Sequence, residues 1–223
     1  TTAVRTAYNG AATQSTLYPD DNALAQQLKI VARLIKGGLK TPVYIVNHPD
    51  SFDTHAGQVD PADKTKGNHA DMLSLLSKAI GAFQDDLQKM AIDDRVTGMT
   101  FTEFGRRIKS NNSSGTDHGT TTPVFVFGKA VNPTIIGTNP DIPENATVQD
   151  NIPMQQDFRA VYYTVLKEWF QLTPAQLNSV LFQQFATLPI FRQLAPLPVS
   201  VLSFKAKWQN TNDALITWEV DEE

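Results

Sequence analysis

The segment "PDSFDTHAGQ" sets Asp53 and His55 two residues apart, and "GTDHGTT" places Asp117 directly before His118. With four histidines in the whole chain, two of them stand in Asp/His couples. Carboxylate oxygen and neutral imidazole nitrogen are suitable ligands for Zn²⁺ or Mn²⁺, whereas Ca²⁺ or Mg²⁺ would use mainly the carboxylates. Two such metals about 4 Å apart can clamp both sides of an in-line displacement at phosphorus or sulfur, and each couple could serve one. The spacing fits a plainer reading too, because an Asp beside a His in a loop often caps a turn or forms a surface ion pair.

Other side chains could complete such a site. Glu103 is a candidate catalytic residue, as a general base or a further ligand, although pairing with Arg106 or Arg107 is the more ordinary use of a Glu there. Arg106 could hold an anionic ester substrate with its bidentate fork, and Arg107 reads as facing solvent. His48, before Pro49, could close a turn; His69 stands near a helix start and could lie on the surface or lean inward. Neither is assigned a ligand role. Thr116, Thr120, Thr121 and Thr122 offer hydroxyls, with no base identifiable beside them.

Chemistry at 53–55 and 117–118 needs elements that bring the two segments together. Leu24, Leu28, Val31, Leu34 and Ile35 recur at helical spacing, with Asp20, Asp21 or Asn22 able to cap the start and Gly37-Gly38 the end. Pro42 to Val46 reads as a buried strand, followed by a polar loop of about twenty residues, long enough to be functional. A helix from near Asn68 presents Leu73, Leu76, Ile80, Phe83, Leu87 and Met90, and residues 96–101 read as the next strand. Helix and strand in alternation predict an α/β domain with a largely parallel sheet, whose ligand crevice lies beyond the carboxyl ends of the strands. Both couples would follow such strand ends.

"PVFVFG" adds a strand, Ile135 and Ile136 a short one, and 139–154 a surface connection. Phe158, Tyr162, Val165, Leu166 and Trp169 mark a further amphipathic helix, and Thr173-Pro174 starts a shorter one. Residues 1–20 show no clear period and read as a loose lead-in or part of an upstream element. Past Pro196 and Pro198, "VSVLSFKAKW" and "ALITWEV" alternate at strand period around the turn-like "NTND", the opening hairpin of an all-β module. The expected division is therefore an α/β domain over 1–195 and a β-module beginning at 196–223. Trp169, Trp208 and Trp218 read as core.

Composition narrows the function classes. The 23 acidic and 19 basic residues are dispersed, for a net charge of −4, so nothing in the sequence attracts nucleic acid or an anionic membrane. With no cysteine, thiolate nucleophiles and thiolate metal sites drop out. No apolar segment approaches the roughly 18–20 residues of a membrane-spanning helix. The first residues carry neither an initiator Met nor a signal-peptide apolar core, and the chain reads as a mature or truncated piece.

"FDTH", "NHADMLSLLSKAIGAFQDDL", "VTGMTFTEFGRR", "NSSGTDHGTTTPVFVFG" and "DFRAVYYTVLKEWF" together resemble the exported bacterial family known as domain of unknown function 1501. That family is similar to the alkaline phosphatase and sulfatase superfamily, and the resemblance runs from about residue 20 to 190. It implies an alkaline-phosphatase-like α/β fold and hydrolysis of phosphate or sulfate esters. By motif, Asp117 and His118 match the superfamily's "DHG" ligands to one metal, and Asp53 and His55 the pair for the other; the donor chemistry favours Zn or Mn there, with Ca or Mg also possible. Superfamily enzymes also use a Ser, Thr or modified Cys nucleophile and an Asp from the first strand of the fold, which would lie upstream of Thr1. The expected partners are an anionic ester and the remainder of the parent chain. The tail from Leu197 resembles the start of the fibronectin-like modules of surface proteins exported by Bacteroidetes-type bacteria, implying a secreted, cell-surface or periplasmic location. The competing expectation is a catalytically inactive surface or binding protein that keeps the fold without the chemistry.

Overall fold

The computed structural model describes residues 2–192, 201–208 and 214–220. The chain is mixed α/β, with helices α1 (Thr2–Asn9), α2 (Ala23–Lys36), α3 (Asn68–Lys89), α4 (Phe158–Thr164) and α5 (Pro174–Leu181). The strands are β1 (Gly98–Met99), β2 (Gly105–Arg106), β3 (His118–Gly119), β4 (Val126–Phe127), β5 (Val201–Trp208) and β6 (Ala214–Val220). The chain divides into two units, one of Thr1–Lys129 with Asp141–Pro153 and one of Ala130–Pro140 with Met154–Glu223.

In the first unit α2 begins as its sequence signals. The Asn22 side chain accepts from the Ala25 N–H at 3.0 Å, and the chain leaves the helix through Gly37 into Gly38, whose φ of +85° suits a residue without Cβ. Leu24, Ala25, Leu28 and Ala32 pack against Ala79, Ala82, Phe83 and Leu87 of α3, with Val46, Val96 and Phe127 closing the cluster. The small residues let the two helices approach closely. Leu73, expected on the inner face, is exposed; Met72 turns inward in its place.

The lead-in is a correction to the sequence reading. Residues 2–9 form α1, and the stretch after it is pinned to α3 by Asp86, a fully buried carboxylate. Asp86 accepts the backbone N–H of Gln14 (2.7 Å) and Ser15 (2.8 Å) and the Tyr18 hydroxyl (3.1 Å). Burial, then the Asp86 charge, pushes the Tyr18 phenol well above its ordinary range. A period search misses this segment because one polar side chain, not an apolar stripe, holds it.

The parallel sheet is the second correction. Among the described residues every strand pair is antiparallel: β1 with β4, β2 with β3, and β5 with β6. The segment 42–46 lies outside every ladder. Val43 and Ile45 are exposed, alternating with half-buried Tyr44 and Val46, and next in line the Gln27 amide takes both the Asn47 carbonyl (2.8 Å) and N–H (3.2 Å). Strand alternation is present there, and a side chain of α2 occupies backbone groups that a neighbouring strand would use. Ile135 is 91% exposed and forms no strand.

In the second unit Asp157 caps α4, which runs into a wider π-turn over Val165–Trp169. Thr173 and Gln176 form a reciprocal capping box at α5. Tyr163, Leu172 and Leu177 make its core, and Trp169 is buried, stacked on Phe191 at 5.7 Å. The expected hairpin is present, with Phe204 opposite Trp218 and a register shift between Val201 and Ser203. Pro196, Pro198, the turn "NTND" and the side chains of Trp208 and Trp218 lie outside the described residues.

Candidate metal centre

Two loops build the site. In the first, within 47–67, the chain turns tightly: the Thr54 N–H donates to the Phe52 carbonyl (2.9 Å) and the His55 N–H to the Asp53 carbonyl (3.2 Å). The second is the connection from β2 to β3, where Arg106 stands opposite His118. Its tip is folded by Asn111, whose Oδ1 accepts the N–H of Ser113 (2.9 Å) and of Gly115 (3.2 Å).

Backbone bonds zip the loops together. Gly57 and Gln58 donate to the carbonyls of Ser113 (3.0 Å) and Ser114 (2.9 Å), and the Thr116 N–H donates to the Thr54 carbonyl (3.2 Å). Gly115 makes the close approach possible, since a Cβ there would sit 2.3 Å from the His55 carbonyl carbon. The Arg106 guanidinium spans both loops. It donates to the Thr116 carbonyl (2.6 Å), the Phe52 carbonyl and Asp53 Oδ1 (3.1 Å).

This scaffold gathers all four residues of the two couples. Asp53 Oδ1 lies 2.9 Å from His55 Nε2 and 2.7 Å from His118 Nε2. One donor atom each from Asp53, His55 and His118 falls within a 4.8 Å span. Asp117 stands behind His55: its Oδ1 is 3.2 Å from His55 Nδ1 and 3.1 Å from Asn111 Nδ2. The His118 ring lies flat on Phe104 at 3.8 Å and 12°. The group is on the surface, with these four side chains 39–47% exposed.

The electrostatics favour charged carboxylates. The His118 hydrogen bond, then the charges of His55, His118 and Arg106, hold the Asp53 carboxyl below its ordinary range, against an opposing effect of desolvation. Hydrogen bonds from Asn111 and His55 do the same for Asp117. Both are therefore ready to ligate or to orient a ligand near neutral pH.

The donor set suits a divalent ion. Bonds of about 2.0–2.1 Å in tetrahedral geometry separate donor atoms by about 3.3 Å, so the Asp53 contacts to His55 (2.9 Å) and His118 (2.7 Å) need to open by only about half an ångström. One carboxylate and two imidazoles match Zn²⁺ or Mn²⁺ better than all-oxygen Ca²⁺ or Mg²⁺ sites. Asp53, His55 and His118 lie together as one three-donor group, so the arrangement in these residues supports one ion rather than one per couple.

Several other residues differ from their expected places. Glu103 is exposed, and its contact is with the Thr102 hydroxyl at 3.4 Å; among the described residues it pairs with neither arginine. Arg107 is half-buried, not free in solvent, donating to the carbonyls of His118 (2.9 Å) and Gln149. His48 closes a turn onto Asp50 as expected, with Nδ1 at 2.9 Å from the Asp50 carbonyl oxygen. His69 leans inward with its ring edge-on to Phe52 at 5.8 Å, and burial lowers its pKa. Thr116 Oγ1 donates to Gln58 (2.7 Å), and Thr54 Oγ1 is buried without a hydrogen-bond partner. Sequence reasoning missed Asn111, Gly115 and Phe104. The turn-rich "NNSSG" was a signal for the first two; nothing in the sequence marks Phe104 as the ring that stacks on His118.

The family description "Protein of unknown function (DUF1501)" matches residues 1–181. The chain belongs to the DUF1501 family. The part of the chain shared with DUF1501 includes α1, α2, α3 and every residue of the two loops. Comparison with curated proteins and with solved structures returns no match.

Proposed function

We propose that this DUF1501 protein is a metal-dependent hydrolase of phosphate or sulfate esters, exported to the cell surface or periplasm, on an alkaline-phosphatase-like domain followed by a fibronectin-like module. The observation that carries the reading is the convergence of Asp53 Oδ1, His55 Nε2 and His118 Nε2 from two distant loops. Those three atoms would hold Zn²⁺ or Mn²⁺, which when bound supplies Lewis-acid polarisation of an ester oxygen. Arg106 sets positive charge beside Asp53, which favours an anionic ester over a neutral one. Its donors are engaged with loop carbonyls, so it acts by charge and by ordering the loops more than as a free fork. Glu103 is the candidate base, with its carboxylate solvent-exposed.

A second reading, a surface or binding protein without hydrolysis, is favoured by the hydroxyls: Thr116 is hydrogen-bonded to Gln58 and Thr54 is buried, leaving neither presented as a nucleophile. Metal analysis of the purified protein, with aryl phosphate and aryl sulfate as substrates, separates the two. Stoichiometric metal with turnover lost in Asp53→Ala supports the hydrolase. Bound metal without turnover supports the binding role, and no metal uptake refutes the hydrolase reading.

A further inference from the structure

Asp117 is a carboxylate placed as though it were a fourth ligand, yet its contacts point elsewhere. Its Oδ1 meets His55 on Nδ1 (3.2 Å), the opposite side of the ring from Nε2, which faces Asp53 at 2.9 Å. An imidazole that gives Nδ1–H to a carboxylate keeps the Nε2 lone pair for a metal and is fixed in ring orientation. The carboxylate is itself held in place. Asn111 Nδ2 donates to the same Oδ1 at 3.1 Å and to the His55 carbonyl at 2.9 Å, so one amide ties Asp117 to the residue it would orient. The Asp117 carbonyl accepts the Arg107 N–H at 3.0 Å, which fixes the backbone from the other side. Resting on the proposed metal site, we infer that Asp117 is a positioning residue that sets the tautomer and angle of His55, and does not itself bind the ion. The chain thus divides the adjacent Asp117 and His118 between two jobs: His118 ligates and Asp117 orients the histidine of the other loop.

The test compares Asp117→Ala, Asp117→Asn and Asp53→Ala with the parent protein, each checked for folding by circular dichroism. Two readouts are used, Zn²⁺ and Co²⁺ binding, and ¹⁵N NMR of the His55 ring without metal at alkaline pH. Asp117→Ala should weaken Zn²⁺ by about 10–100-fold, leave the Co²⁺ absorption intensity and hence its coordination number unchanged, and shift His55 away from the Nδ1–H form. Asp117→Asn keeps an oxygen acceptor for Nδ1–H and should recover most of the affinity, whereas Asp53→Ala should abolish binding. Loss of binding in Asp117→Ala equal to that of Asp53→Ala, or a changed Co²⁺ coordination number, would overturn the inference. An unchanged His55 tautomer in Asp117→Ala would overturn it equally. If the parent protein takes up no metal the hydrolase reading fails, and the metal-free ¹⁵N spectra still decide whether Asp117 orients His55.

Discussion

Gly115 lies against the backbone of His55 so closely that a Cβ would come within 2.3 Å of both the His55 carbonyl carbon and its oxygen. These are backbone atoms, unable to swing aside as a side chain would. Gly115→Ala must therefore separate the two loops or distort one of them. We expect a stability loss of about 1–3 kcal/mol and Zn²⁺ affinity reduced at least tenfold, with helical circular dichroism retained because the α2–α3 core is untouched. Parent-like metal binding by titration calorimetry would contradict this account of the site.

Arg106 gives a prediction of a different kind, since it acts through geometry. Its planar fork reaches two carbonyls and a carboxylate at once, and a lysine offers one ammonium in place of that fork. Arg106→Lys should behave nearly as badly as Arg106→Ala, each costing about 1–3 kcal/mol from unpaired carbonyls and loosening the 52–58 loop. Hydrogen exchange at Gly57 and Gln58 reports this directly; protection unchanged in Arg106→Lys would show that charge alone suffices.

Phe104 holds His118 by stacking, so ring shape and not polarity matters there. Phe104→Tyr should bind metal like the parent, while Phe104→Leu should weaken binding several-fold by freeing the imidazole. Equal affinity in both variants would mean that the Arg106 and Asp53 contacts fix His118 unaided.

Local signals in the sequence were legible where one residue does one job. The Asn22 cap, the Gly37-Gly38 exit and the helix start after Thr173-Pro174 follow from residue type at a helix end, and α3 from its apolar period. The meeting of the couples was legible for another reason than the one the sequence suggested. Strand ends of a parallel sheet do not bring them together; an antiparallel β2–β3 pair and a zip of loop backbone bonds do. Such bonds depend on which loops touch, and carry no periodicity to read. The same limit hid α1 and the segment after it, which Asp86 holds from seventy residues away.

That distant carboxylate sets the last prediction. The Tyr18 phenol sits 3.1 Å from Asp86 Oδ2, buried, with its pKa raised by desolvation and by the Asp86 charge. Below about pH 10, the ordinary tyrosine value, folded and unfolded chains both keep the proton and the full stability is present. Above it the unfolded chain releases the proton while the folded chain retains it, so stability falls as pH rises, by about 1.4 kcal/mol per pH unit for this group. Tyr18→Phe should cost about 1 kcal/mol at neutral pH from the lost hydrogen bond, and should remove that part of the alkaline slope. Urea unfolding from pH 8 to 11 should therefore show two curves that converge as pH rises. Parallel curves would mean that Tyr18 ionises as readily in the folded protein as in the unfolded chain, and that Asp86 anchors residues 14–18 through their backbone alone.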